Sequence, residues 1–124
     1  MAHSYRDLVV WQKAMDVVEK VYRFTQDFPK EETYGLVAQM RRAAVSVPSN
    51  IAEGQGRMSR GEFRQFLGQA RGSLLELETQ VLIAERLGYL QATNARVILE
   101  QATEVKRMLH GLAESLLEPA PTRN

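Results

Sequence analysis

The sequence predicts an all-α protein built as an up-down-up-down antiparallel four-helix bundle. Three observations predict this class. Apolar residues recur every three or four positions in four separate segments, which is the spacing of one buried helical face. Short stretches containing Gly or Pro separate these segments. No part of the chain alternates apolar and polar residues with the period of two that a half-buried strand requires.

The totals indicate one ordinary globular domain. The chain has 124 residues, of which 44% are apolar and 25% are charged. We expect a single bundle domain over residues 1–118 and a disordered C-terminal tail over 119–124, PAPTRN. There is no cysteine, and no apolar run approaches the roughly 20 residues that cross a bilayer. A cytoplasmic location is therefore expected.

The first helix is predicted from about Asp7 to Gln26, and Pro29 follows its end. One apolar stripe marks its core side and comprises Leu8, Trp11, Met15, Val18 and Tyr22, widened by Ala14 and Val21. The second helix is predicted to begin near Glu32. Its core side comprises Leu36, Met40, Ala43, Val47, Ile51 and Gly54. Pro48 interrupts this second pattern, at a cost of about 3 kcal/mol in an ordinary helix.

The third helix is predicted from Ser59 or Arg60 to about Leu87, because Ser59 and Glu62 form a capping-box pattern. Its apolar heptad seam comprises Phe63, Leu67, Ala70, Leu74, Leu77, Val81 and Ala84. Thr93 is a candidate N-cap for the fourth helix. The seam of that helix comprises Ile98, Ala102, Val105, Leu109, Leu112 and Leu116.

Leu75 and Leu82 lie about 100° around the third helix from its seam, at about 100° per residue. Two interpretations remain open for these leucines. They can widen the core stripe of a monomer, or they can form a contact between subunits of a homo-oligomer.

No catalytic, cofactor-binding or metal-binding residues are predicted, and we expect a protein that is not an enzyme and carries no cofactor. Only two histidines are present, His3 and His110, and they are far apart in the chain. The GQGR segment lacks both the preceding strand and the lysine of a phosphate-binding loop.

Charge is unevenly distributed although the formal net charge is only +1. Between Arg41 and Gly72 there are six arginines and two carboxylates, whereas the part of the chain from Glu76 to the end has seven acidic and five basic residues. Arginine donates paired hydrogen bonds to phosphate, so a basic stripe is a candidate nucleic-acid-binding surface. The six candidates are Arg41, Arg42, Arg57, Arg60, Arg64 and Arg71. The alternative is that these arginines only form surface salt bridges.

Four segments carry a family resemblance. They are DLVVWQKAM, VYRFTQDFPKEETYGLVAQMRRAAVSVPSNIAEGQGR, EFRQFLGQARGSLLELETQVLIAERLGYL and KRMLHGL. Together they closely resemble the four-helix-bundle family of 23S ribosomal RNA intervening-sequence proteins over nearly all of residues 5–117. That family is related to the accessory variability determinant proteins of diversity-generating retroelements, which bind nucleic acid and partner a reverse transcriptase.

The resemblance implies a homopentamer, which favours an interface role for Leu75 and Leu82. It also implies that Pro48 bends the second helix without ending it. Two functions follow as expectations. The first is a homo-oligomeric accessory protein that binds structured RNA or DNA through the six arginines, with a reverse transcriptase as a possible partner. The second is a protein–protein interaction scaffold that has no nucleic-acid role.

Overall fold

The computed structural model describes residues 4–117, and these residues form an all-α structure without a strand, as predicted. The four helices are α1 (Val9–Thr25), α2 (Leu36–Gln55), α3 (Arg60–Arg86) and α4 (Ala92–Ser115). Short 3-10 turns at Tyr5–Asp7 and Lys30–Glu32 precede α1 and α2. The predicted tail, 119–124, lies outside the described residues.

The core side of α1 differs from the predicted stripe. The buried residues of this helix are Val10, Ala14, Val17, Val21 and Thr25. Met15 and Tyr22 are exposed instead, so the predicted stripe follows the flank of α1 that faces α2. Helix α1 also begins later than predicted, at Val9, because the residues up to Asp7 form a 3-10 turn.

The predicted start of α2 near Glu32 is wrong, because that segment forms a separate 3-10 turn and α2 begins at Leu36. Glu32 nevertheless links the start of α2 to the segment between α3 and α4. Its Oε1 accepts a hydrogen bond from the Leu36 backbone amide at 3.0 Å, which satisfies a free donor in the first turn of α2. Its Oε2 accepts a hydrogen bond from the Tyr89 hydroxyl at 3.2 Å.

Pro48 lies inside α2, which continues to Gln55, so the expectation that this proline does not end the helix is confirmed. The polar residues around it form a network. The Asn50 side-chain amide donates to the Ser46 carbonyl oxygen at 2.8 Å and to Ser46 Oγ at 2.9 Å. Ser46 Oγ is also 2.8 Å from Ser73 Oγ. These hydrogen bonds join the segment around Pro48 to α3.

Ser59 is the N-cap of α3, as predicted, since its hydroxyl accepts a hydrogen bond from the Glu62 backbone amide at 3.1 Å. The prediction of Thr93 as the cap of α4 is wrong. Gln91 occupies the N-cap position with extended backbone angles, and Thr93 lies within the first turn of the helix. Threonine is a residue type that N-cap positions prefer, but α4 begins at Ala92, two residues earlier than an N-cap at Thr93 would allow.

The four helices surround one core. Helix α1 packs against α2 and α4, and α3 packs against the same two helices. This arrangement places the groove between α1 and α2 on the opposite side of the protein from the groove between α3 and α4. No helix in the described range, 4–117, combines the length and apolarity needed to cross a membrane.

Candidate nucleic-acid interface

The groove between α3 and α4 brings cationic side chains from both helices together. It encloses about 390 Å³ and is lined by Arg71, Thr103, Lys106, Arg107, His110 and Gly111. Arg71 comes from α3, and the other lining residues come from successive turns of α4. No carboxylate is among the lining residues. The chemistry of this groove therefore favours an anionic ligand.

Arg64 extends this groove toward the end of α4. Its Nε donates to the Ala113 carbonyl oxygen at 3.1 Å, which links α3 to the last turn of α4. The same carbonyl oxygen accepts a hydrogen bond from the Leu116 backbone amide at 3.2 Å, so Arg64 adds a second donor at the end of α4. Arg64 and Arg71 are seven residues apart and lie on the same side of α3. We call Arg64, Arg71, Lys106, Arg107 and His110 the basic groove.

One cation of the basic groove is already neutralised within the protein. Lys106 Nζ lies 2.9 Å from Glu78 Oε2, and the two side chains are only 25% and 18% exposed. This half-buried ion pair joins α4 to α3 at one end of the groove. Arg71, Arg107 and His110 are exposed at the surface. The pair therefore contributes mainly to helix packing, whereas the exposed arginines supply the positive surface.

Arg41 lies on a different side of the protein, against α1. Its Nε donates to Thr25 Oγ1 at 3.1 Å, and its guanidinium carbon lies 4.5 Å from the centre of the Tyr22 ring. Arg42 is exposed and lines the groove between α1 and α2 as well as a smaller groove between α2 and α3. Consecutive helical residues diverge by about 100°, which explains why neighbours in sequence face different helices.

The other two candidates lie at the connection between α2 and α3. Arg57 forms an ion pair with Glu53 at 2.9 Å, and its guanidinium carbon lies 4.8 Å from the centre of the Phe66 ring. Arg60 is exposed at the first position of α3. The structure thus brings Arg64 and Arg71 together and places Arg41, Arg42 and Arg57 elsewhere.

Arg71 does not lie level with Arg41 and Arg42, so the six arginines do not form one continuous stripe. Because Ser46 contacts Ser73, Arg71 lies near the level of Pro48, more than one turn further along α2. Sequence reasoning also missed the contribution of α4, because the second half of the chain is acidic in total. The spacing of Lys106 and His110, four residues apart, was the available signal for a basic helical face.

Leu75 and Leu82 are exposed, at 40% and 48%. They lie on the same side of α3 as Arg71, since spacings of four and eleven residues return to nearly the same helical angle. The two leucines therefore form an exposed apolar row on α3, further along the helix than Arg71. The role of both leucines in a subunit interface stays a prediction.

An apolar groove lies on the opposite side of the protein, between α1 and α2. It encloses about 310 Å³ and is lined by Tyr5, Trp11, Met15, Val18, Val45, Pro48, Ser49 and Ala52. Its three α1 residues, Trp11, Met15 and Val18, all belong to the stripe that the sequence assigned to the core. Within residues 4–117, no three His, Asp or Glu side chains are grouped so that they could hold a metal ion.

These features define an α-helical protein with a basic groove on one side and an apolar groove on the other. The family model described as 23S rRNA-intervening sequence protein matches residues 6–111, and the chain belongs to this family. Its fold is similar to the crystal structure of a protein of unknown function from the S23 ribosomal protein family of Bacteroides thetaiotaomicron. The TM-score is 0.76 at 21% identity, and the match covers 85% of this chain and 98% of that one. No curated protein matches the chain.

Proposed function

We propose that this protein is a non-enzymatic, cytoplasmic accessory protein that binds structured RNA or DNA through the basic groove. The observation that carries the proposal is the convergence of Arg71 with Arg107 and His110 in a groove whose lining contains no carboxylate. Arginine side chains in such an arrangement donate hydrogen bonds to neighbouring phosphate oxygens of one nucleic-acid backbone.

Assembly strengthens the proposal, because the net charge of one chain is only +1. We propose an up-down-up-down bundle that forms a homopentamer, with Leu75 and Leu82 in contact with a neighbouring subunit. Both leucines lie beside the basic groove, so each subunit contact would bring the grooves of adjacent subunits closer together. A repeated basic surface focuses a positive potential that a single subunit does not produce.

The test is fluorescence anisotropy of a labelled hairpin RNA and a labelled duplex DNA at low and at near-physiological salt. We expect binding that weakens steeply with salt, with a logarithmic slope of about 0.9 per phosphate neutralised on duplex DNA. The double variant Arg71→Glu/Arg107→Glu should lose this binding. The matched control is Arg23→Glu/Arg86→Glu, which changes the charge equally at two exposed arginines outside the groove. Equal binding by both double variants would contradict the proposal.

A second candidate function rests on the apolar groove between α1 and α2. Trp11, Met15 and Val45 line it together with few polar groups, which is the composition of a protein-docking surface. On this alternative the protein is an interaction scaffold, and a reverse transcriptase is one class of partner that the resemblance indicates. Binding of such a partner would respond weakly to salt and would be reduced by Met15→Glu. Binding to nucleic-acid phosphate would instead weaken steeply with salt and would not be reduced by Met15→Glu.

A further inference from the structure

A second groove between α1 and α2 combines exposed tyrosines with arginines. It encloses about 480 Å³ and is lined by Tyr22, Thr33, Tyr34, Val37, Ala38, Arg41, Arg42 and Val45. No carboxylate is among these residues. We call Tyr22, Tyr34, Arg41 and Arg42 the tyrosine–arginine cradle. It lies on the opposite side of the protein from the basic groove.

One half of the cradle is held in place by α1. The Arg41 guanidinium is stacked over the Tyr22 ring at 4.5 Å, and its Nε donates to Thr25 Oγ1 at 3.1 Å. Thr25 is buried, and its own hydroxyl donates to the Val21 carbonyl oxygen at 2.7 Å. These contacts hold Arg41 as a fixed positive group at the floor of the cradle, so little side-chain entropy remains to be lost on binding.

The other half is the side chain of Tyr34, which is 95% exposed. It lies between the 3-10 turn at Lys30–Glu32 and the start of α2. An aromatic ring that is this exposed contributes almost no burial to the stability of the fold. Both faces of the ring are accessible to a planar ligand, and the neighbouring Arg42 is exposed as well.

We propose that the tyrosine–arginine cradle binds an unpaired nucleotide of a single-stranded nucleic acid. The base stacks on the Tyr34 ring, and the phosphate that follows accepts hydrogen bonds from Arg42, with Arg41 adding positive potential. Stacking on aromatic side chains above a positively charged surface is how proteins hold single strands without reading their sequence. The proposal deepens the proposed function and rests on it: the basic groove holds paired segments, and the cradle holds an unpaired one.

The test uses a fluorescein-labelled oligouridylate, which forms no base pairs, and measures anisotropy with the full chain. We expect Tyr34→Ala to weaken its binding about tenfold, the size typical for loss of one stacked base. Tyr34→Phe, which keeps the ring, should bind as the unmodified protein does. Met58→Ala is the matched control, because Met58 is another exposed large side chain, at 98%, outside the cradle.

The outcomes separate this proposal from the function on which it rests. Oligouridylate binding that is unchanged in Tyr34→Ala, or lost equally in Tyr34→Phe, would overturn the cradle, as would failure of the unmodified protein to bind the probe. A labelled duplex DNA is titrated in parallel. We expect binding of the duplex to be unaffected by Tyr34→Ala and abolished by Arg71→Glu/Arg107→Glu. The duplex titration therefore tests the basic groove separately from the cradle.

Discussion

Gly54 of α2 lies so close to Phe66 of α3 that a Cβ atom on the glycine would be 2.7 Å from the Phe66 Cβ. The same added atom would be 3.0 Å from Phe63 Cδ1 and 3.3 Å from the Phe63 carbonyl oxygen. Real Cβ atoms do not approach neighbours this closely, so the absence of a side chain at Gly54 permits the contact between the two helices.

Gly54→Ala should therefore lower the free energy of unfolding by about 1–3 kcal/mol, because the added methyl forces α2 and α3 apart. Gly72→Ala is the matched control. Gly72 lies within α3, and a Cβ atom there would meet nothing within 4 Å. Alanine should then stabilise the helix by about 1 kcal/mol. Urea denaturation measures both changes, and equal effects of the same sign would contradict the close packing.

Pro48→Ala should raise the free energy of unfolding by about 1 kcal/mol. Alanine restores a backbone donor opposite the Ala44 carbonyl, and the gain exceeds the loss of buried ring carbons. Denaturation gives the stability, and light scattering after gel filtration gives the assembly state. Loss of an oligomer with helicity unchanged would instead show that Pro48 shapes an assembly surface, in keeping with its place in the apolar groove.

Glu78→Gln should affect stability and nucleic-acid binding in opposite directions. The change removes the half-buried ion pair with Lys106, and the free energy of unfolding should fall by about 1 kcal/mol. It also frees the Lys106 ammonium for phosphate, so duplex DNA should bind more tightly at low salt. Glu19→Gln, an exposed change on α1, controls for the net charge. Equal gains in affinity for both variants would show a general charge effect.

The Tyr89 hydroxyl should titrate above its ordinary range. Its hydrogen bond to Glu32 raises the pKa, and partial desolvation and the nearby carboxylates raise it further. The native state then retains the proton longer than the unfolded chain does. The stabilising contribution is therefore complete below the unfolded pKa of about 10 and is lost as the pH rises through the folded pKa.

Comparison with Tyr89→Phe isolates this effect. The stabilising contribution of the Tyr89 hydroxyl, measured as the stability difference between the two proteins, should be constant from neutral pH to about pH 10 and should shrink above it. Ultraviolet titration of the phenol absorbance should also show one high-pKa tyrosine fewer in the variant. Tyr34→Phe is the control, because Tyr34 is exposed. A constant stability difference across the whole range would contradict the hydrogen bond to Glu32.

Local chemistry explains which features were predictable. Ser59 caps α3 through a hydrogen bond to the Glu62 backbone amide, three residues away, and such a contact needs no tertiary partner. The seam of α3 was likewise predictable, because residues such as Leu67 and Leu74 recur at helical spacing and are fully enclosed. Neighbouring helices have little effect on contacts within one turn.

The rotation of each helix about its axis required the tertiary structure. The sequence by itself determined an all-α chain with four amphipathic helices and a proline tolerated inside the second. It did not determine that Val17, and not Met15, enters the core, since both fall on an apolar flank of α1. Nor did it determine that Arg71 meets Arg107 across α3 and α4 while Arg41 packs on Tyr22. Those neighbours are chosen by how the helices pack, because only packing brings residues distant in sequence within reach of one ligand.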